Sequence, residues 1–436
     1  MKKRLPFFLL VLAVILGLIY PSVQPIADPK NKIDTGDTAW LLVATALVLL
    51  MTPGLAYFYG GMVRKKNVIS TMLQSLVCMG VITVLWVMFG FSLAFGDDIG
   101  GFIGNPTTFF MMKGMVGNAV WPLAPTIPLV LFAMFQLKFA VITPALITGA
   151  FAERIRFNSY IIFLCLFSVF IYCPLAHATW HPNGFFAQKG VLDFAGGTVV
   201  HMSAGWAALA SAMFLKRRNA VEHAQPARIS YVILGTGLLW FGWFGFNAGS
   251  AGGAGTLAAT ALATTTTASA AAAMAWIFFD MFRGKKPSAM GACIGAVVGL
   301  VAITPAAGYV SVTHSIIVGV AAAVVSNLVV IWRTRTTIDD TLDVFPCHGV
   351  GGMMGMLLTG IFASQHVNAA NTTGNGLYFG ETKLFLVHLL ALVMVSAFAF
   401  VGSYVLLMIT NAISPLRVTA QEEEQGLDLS QHNEEL

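Results

Sequence analysis

Charge is scarce in this chain of 436 residues: 10% are Asp, Glu, Lys or Arg, against 57% hydrophobic, and the mean hydropathy is +0.79. A soluble helical domain of this length would show charged faces at helical period, whereas these helices read as apolar all round, as burial in lipid requires. Paired cysteines are missing as well. Cys78, Cys165, Cys173, Cys293 and Cys347 all lie in apolar stretches, and an odd number without paired spacing argues against a disulfide framework or a zinc site. Short segments of alternating polarity are absent, which argues against a β-barrel. No nucleophile, metal set or polar cleft supports an enzyme, and no cofactor is implied. The glycine run GVGGMMG at 349–355 follows no strand and is read as close helix contact, not as a nucleotide loop.

What is present is a succession of apolar runs that reach the ~20 residues needed to cross hydrocarbon as helix. They read as eleven transmembrane helices at about 38–61, 68–95, 126–151, 158–180, 193–215, 230–249, 257–282, 288–304, 310–333, 344–361 and 384–411. The expected fold class is therefore an all-α polytopic membrane protein in the lipid bilayer: two inverted five-helix repeats plus a final helix. The run LAATALATTTTASAAAAM in the seventh helix is small-residue packing surface.

The N-terminus, MKKRLPFFLLVLAVILGLIYPS, carries three basic residues, an apolar run from about Leu5 to Ile19, then a Pro-containing polar stretch. It reads as a signal peptide over residues 1–27, with a cleavage region near Ser22 to Ala27 and an uncleaved anchor as the alternative. Without it, 21 basic residues face 19 acidic ones, a net charge of +2; nucleic acid is not implied as a partner. With the mature N-terminus outside, fifteen basic residues fall in inner segments: Arg64, Lys65, Lys66, Arg154, Arg156, Lys216, Arg217, Arg218, Arg228, Arg283, Lys285, Lys286, Arg333, Arg335 and Arg417. Five, Lys30, Lys32, Lys113, Lys189 and Lys383, fall outside. That asymmetry expects an inner (plasma) membrane protein with its N-terminus outside and its C-terminus cytoplasmic. Residues 28–414 form the membrane domain, and 415–436 an acidic tail with little helical signal, read as a solvated end that could order on a partner.

Ionisable groups at membrane depth are costly, so those inside apolar runs mark pathways or partners. Residues 193–201 read DFAGGTVVH, which sets His201 roughly 12 Å along its helix from Asp193. In the tenth helix His348 lies about 7.5 Å from Asp343, approaching from the opposite face. An odd number of spans per half inverts the repeat, and inverted repeats build a central site at their interface. A single buried His is commonly a satisfied core imidazole and Asp193 a favoured helix N-cap; two histidines at matching places favour a paired site. A neutral His offers one donor and one acceptor, so a pair can share a hydrogen bond and still serve a guest.

The stretches PGLAYFYGGMVRKKNV (53–68), GAFAERIRF (149–157), DFAGGTVVH (193–201), GWFGFNAGS (242–250), CHGVGG (347–352) and EQGLD (424–428) resemble the ammonium transporter (Amt/Mep/Rh) family, over essentially the whole chain after residue 27. The resemblance implies an outer ammonium-binding site at Trp180, Phe135 and Ser250, a phenyl gate at Phe139 and Phe246, and pore histidines His201 and His348, with Asp193 matching an aspartate needed for uptake. It implies homotrimers and, in many members, an inner PII signalling protein. The alternative it leaves is an ammonium sensor acting through a PII-type partner. Lys138, between Phe135 and Phe139, departs from the small or apolar residue expected there. A cation facing the bore would repel the substrate; ~100° per residue turns it away from Phe139, toward another helix or a subunit interface.

Overall fold

The computed structural model describes residues 5–20, 33–115, 117, 119–219 and 225–436. The expected cleavage region, Ser22 to Ala27, and the charges at Lys30 and Lys32 lie outside the described residues. A first helix, α1, spans Leu5–Ile19. The spans that follow are α2 (Thr35–Met62), α3 (Lys65–Phe95), α4 (Leu129–Phe151), α5 (157–180), α6 (Gly197–Leu215), α7 (Ile229–Gly249), α8 (Thr256–Phe282), α9 (Ala289–Ile303), α10 (Val312–Thr334), α11 (Phe345–Phe362) and α12 (Lys383–Ile413).

Among the described residues ten helices are long and apolar enough to cross a membrane, and α9, with 15 residues, is shorter. The expected count of eleven thus rests on α9. Its helix gives out at Thr304 because Pro305 has no N–H to continue the ladder. The segment between α3 and α4 departs from an all-helical reading with two small antiparallel hairpins, β1 (Asp98–Ile99) with β2 (Ile103–Gly104), and β3 (Val120–Trp121) with β4 (Ala124–Pro128).

Packing follows the small residues. Ala261, Thr264, Thr265, Ala268, Ser269 and Ala272 of α8 are buried on one helical face, where Thr264 donates to Ala307 O and Ser269 to Ala296 O. Close backbone approach lets such polar side chains reach carbonyls on neighbouring helices. The glycine run does the same at the centre: a side chain at Gly205 would collide with the backbone of Gly349, so α6 and α11 touch there backbone to backbone.

Ion pairs hold the helix ends together at the end of the molecule that carries Arg64, Glu153 and Arg218. Glu153 accepts from Arg64 N, Arg64 Nε and Arg218 Nη1 at 2.7, 2.7 and 2.9 Å. Arg218 also grips Asp339 through Nε and Nη2 at 2.9 and 3.0 Å. Burial pushes the Asp339 carboxyl up, but the guanidiniums of Arg218 and Arg154 outweigh it and hold it down at about 2.

The tail is not a solvated end. Its helix α13 (Ala420–Gln425) starts with a capping box between Thr419 and Glu422. Glu423 accepts from Asn219 N and Arg417 Nη2, and Glu422 pairs with Arg156 at 3.1 Å. Asp428 accepts from Ile69 N and Ser70 N at 3.1 and 2.7 Å, Leu427 N donates to Asn67 Oδ1, and His432 stands edge-on to Phe157. The expectation failed because helical propensity was weighed without the basic loops that supply the tail's partners.

Candidate transport site

Asp193 explains how α6 begins. Its Oδ1 accepts from Gly196 N and Gly197 N at 2.8 and 2.6 Å, and its Oδ2 from Thr198 N and Thr198 Oγ1 at 2.7 and 2.5 Å. Asp193 thus caps the start of α6 from three residues before the N-cap residue Gly196, with both carboxylate oxygens occupied. Asp193, which the resemblance matches to an aspartate needed for uptake and groups with the substrate-binding residues, stands outside the cavity lining and reaches the site through its backbone carbonyl, which accepts from Trp180 Nε1 at 3.1 Å.

The matching residue in the second half is Asp340, not Asp343. Asp340 precedes His348 by the eight residues that separate Asp193 from His201, and its Oδ2 accepts from Phe345 N at 2.7 Å at the start of α11. Asp343 turns aside to Arg333 at 2.6 Å. The two caps lie at opposite ends of the molecule, Asp193 beside Trp180 and Asp340 beside the Arg154 and Arg218 cluster. Both histidines sit in π-helical turns, Gly197–Met202 and Phe345–Val350, a local geometry frequent at functional sites.

At the Trp180 end an open cavity of about 150 Å³ is lined by Trp180, Phe135, Ser250, Gln136, Trp121 and Phe139, among others. Phe135, Trp180 and Ser250, which the resemblance grouped, all line this cavity. The Ser250 hydroxyl donates to Phe246 O at 2.8 Å, which leaves its lone pairs for a guest. Phe139 lines the cavity, and behind it the ring of Phe246 lies 4.2 Å away between centroids, with Phe135 4.9 Å and Trp180 5.9 Å from Phe139. Lys138 is half-buried and is not among the cavity-lining residues.

Beyond the phenyl pair His201 stacks on Phe246 at 6.1 Å and on Trp243 at 5.4 Å. Its Nδ1 is 3.3 Å from His348 Nδ1, and both imidazoles are buried. Thr304 orients this pair. Its hydroxyl donates to Leu300 O at 2.8 Å and accepts from Trp243 Nε1 at 2.9 Å. With its one hydrogen used, it meets His201 Nε2 at 3.3 Å as an acceptor. Neutral His201 therefore carries its proton on Nε2, His348 donates from Nδ1, and His348 Nε2 keeps a lone pair. Sequence reasoning missed Thr304, Trp243, Trp121 and Gln136; they are remote in the chain, and only a fold joins them.

Among the described residues one further group could hold a metal: Asp98, His177 and His181. The His-x3-His spacing was its signal. His177 Nδ1 faces Ala94 O at 3.0 Å and its Nε2 faces Asp98 Oδ1 at 2.8 Å, a contact that holds the Asp98 carboxyl below its usual range. His181 Nδ1 accepts from Asn183 N at 3.1 Å, so its neutral ring carries the proton on Nε2 and has no lone pair left for an ion.

A polytopic helical membrane protein whose two halves each cap a π-turn histidine, and bring the two imidazoles together under a phenyl constriction, has the build of a transporter for a small solute. Residues 39–436 match the model of the Ammonium Transporter Family, to which the chain belongs. It is 44% identical to the ammonium transporter of Aquifex aeolicus over 99% of both chains. Its fold matches the solved structure of Candida albicans Mep2 with a TM-score of 0.85 at 36% identity, covering 91% of this chain and 89% of that one. It also matches a Sensor Amt Protein with a TM-score of 0.82 at 27% identity, covering 91% and 98%.

Proposed function

We propose that this chain captures ammonium on the Trp180 side, lets it past the phenyl pair only as it gives its proton to the histidine pair, and conducts ammonia into the cytoplasm. The observation that carries the reading is the sequence of surfaces along one line: an aromatic vestibule with a free hydroxyl acceptor, two touching phenyl rings, then two buried imidazoles. A cation over the indole and phenyl faces gains about 0.5 to 2 kcal/mol, according to desolvation, which suits capture rather than storage. Past Phe139 and Phe246 a full charge loses its water, and desolvation favours the neutral partner of a weak acid. Ammonium has a neutral form to retreat to; potassium has none and stops at the rings.

The bare Nε2 of His348 accepts an N–H of the passing molecule, and the Nδ1 contact between the rings offers the proton a route. Asp193 acts at one remove, by fixing the start of α6 and the Trp180 ring. Growth of a transporter-deficient strain at low ammonium tests transport, and replacing both His201 and His348 by Ala tests the relay: growth without ammonium-driven current supports it, unchanged current refutes it.

We read the chain as a homotrimer in the plasma (inner) membrane, N-terminal side outside, with residues 1–27 a signal peptide, 28–414 the membrane domain and 415–436 the cytoplasmic tail. A second reading, an ammonium sensor signalling through a PII-type partner, draws support from the likeness to the Sensor Amt Protein. A PII protein would meet an inner face where the acidic tail already covers the basic loops. Failure of growth rescue together with ammonium-dependent PII binding would favour this second reading.

A further inference from the structure

An ammonium ion that has shed water presents four N–H bonds, and a vestibule that offers only ring faces and one hydroxyl leaves most of them without an acceptor. Two polar side chains beside the cavity are already committed. Trp180 Nε1 gives its hydrogen to Asp193 O, and the carboxylate of Asp193 is saturated by four donors. One more polar side chain lines the cavity, Gln136. It precedes Phe139 by three positions on α4, which sets the two on one helical face, and Phe135 lines the same cavity. Its Oε1 is buried and has no hydrogen-bond partner among the described residues. A buried carbonyl left without a partner is rare in native proteins and calls for an explanation.

We propose that Gln136 is a recognition residue of the vestibule, whose amide oxygen accepts an N–H of the captured ammonium ion together with Ser250 Oγ. The terminal torsion of Gln is broad, so the amide turns its oxygen into the cavity when the ion arrives. The acceptor the protein leaves empty is then filled by the substrate. An amide suits the task better than a carboxylate: it accepts the N–H without adding a full negative charge that would hold the cation and slow its passage to the gate. The aromatic faces supply attraction without direction, whereas Ser250 and Gln136 supply direction. Each methyl group on the nitrogen removes one N–H, so the loss of Gln136 matters less as methylation rises.

This inference deepens the transport reading and rests on it. The test is ammonium- and dimethylammonium-driven current in proteoliposomes of the full-length chain, with thermal unfolding of the same preparations. Gln136→Leu is expected to raise the KM for ammonium roughly tenfold, the loss of one hydrogen bond to a cation, and that for dimethylammonium by less. Removing an unpartnered carbonyl should leave the melting temperature equal or higher, whereas a structural amide would lower it. Gln136→Glu, which keeps an acceptor, should return the KM to the parent value or below. An unchanged KM in Gln136→Leu, or a raised KM accompanied by a fall in melting temperature that Gln136→Glu does not reverse, overturns the proposal. A parent protein that gives no ammonium current defeats the transport reading itself, and this inference falls with it.

Discussion

Thr304→Val is the sharpest probe of the site, because the side chain keeps its shape and loses only the hydroxyl. That hydroxyl accepts from Trp243 Nε1 at 2.9 Å and meets His201 Nε2 at 3.3 Å, in a place where Thr304 and His201 are buried. Valine leaves two buried donors without a partner, at about 1–3 kcal/mol each, so roughly 2–6 kcal/mol in all unless the site rearranges. The better-defined effect is on proton position. Without an acceptor at Nε2, His201 is free to move its proton to Nδ1, which sets two N–H groups against each other across the 3.3 Å contact with His348. If the one lost His201 bond accounts for 1 kcal/mol or more of that orientation, the working tautomer falls at least about fivefold. The assay is ammonium-driven current beside nitrogen NMR of labelled histidine. Thr304→Val should lose current by about that factor or more and show a mixed His201 tautomer, and Thr304→Ser should restore both. Parental current and a single Nε2–H tautomer in Thr304→Val would refute the assignment.

Opening the constriction with Phe246→Ala removes the ring 4.2 Å from Phe139 and should admit potassium current that the parent excludes; a variant still silent in potassium would show that the rings are not the barrier. Asp428→Ala strips the acceptor from Ile69 N and Ser70 N, at a cost of about 1 kcal/mol for a lost cap, and should make the tail after residue 415 more sensitive to limited proteolysis, with equal cleavage rates the contrary result. Burial, with Asp343 beside it, holds the Asp340 carboxyl up at about 6 against 3.8 for an ordinary Asp. The folded protein then binds this proton more tightly than the unfolded chain, so the group costs stability as pH rises from about 4 to about 6 and the cost persists above that window. Asp340→Asn keeps an acceptor for Phe345 N and should melt with the parent near pH 4 and above it near pH 7.5; the same difference at both values would contradict the shift.

The helices were legible because hydrocarbon imposes a composition and a length, and the expected bounds fall within a few residues of those found, 230–249 against Ile229–Gly249 for example. The histidines and the cap at Asp193 were legible because polar residues in apolar runs stand out. Position relative to other helices was not. Thr304 is 103 residues from His201 and 61 from Trp243, and as a threonine in a small apolar helix it carries no signal of its own. Asp343 was taken for the mate of Asp193 because it is nearer the expected helix start, and the three extra residues to Asp340 became visible only through the hydrogen bond to Phe345 N. The tail misled for a different reason: Glu422, Glu423 and Asp428 look solvated until Arg156, Asn219 and the start of α3 at Ser70 converge on them.

The central claim is that a charged ion enters the vestibule and only a weak base that can give up its proton passes the rings. Currents from purified protein on a solid-supported membrane, pulsed with ammonium and then with potassium at equal concentration, test it most directly. The account predicts a transient current with ammonium and none with potassium; equal currents for the two ions, or none for either, would contradict it.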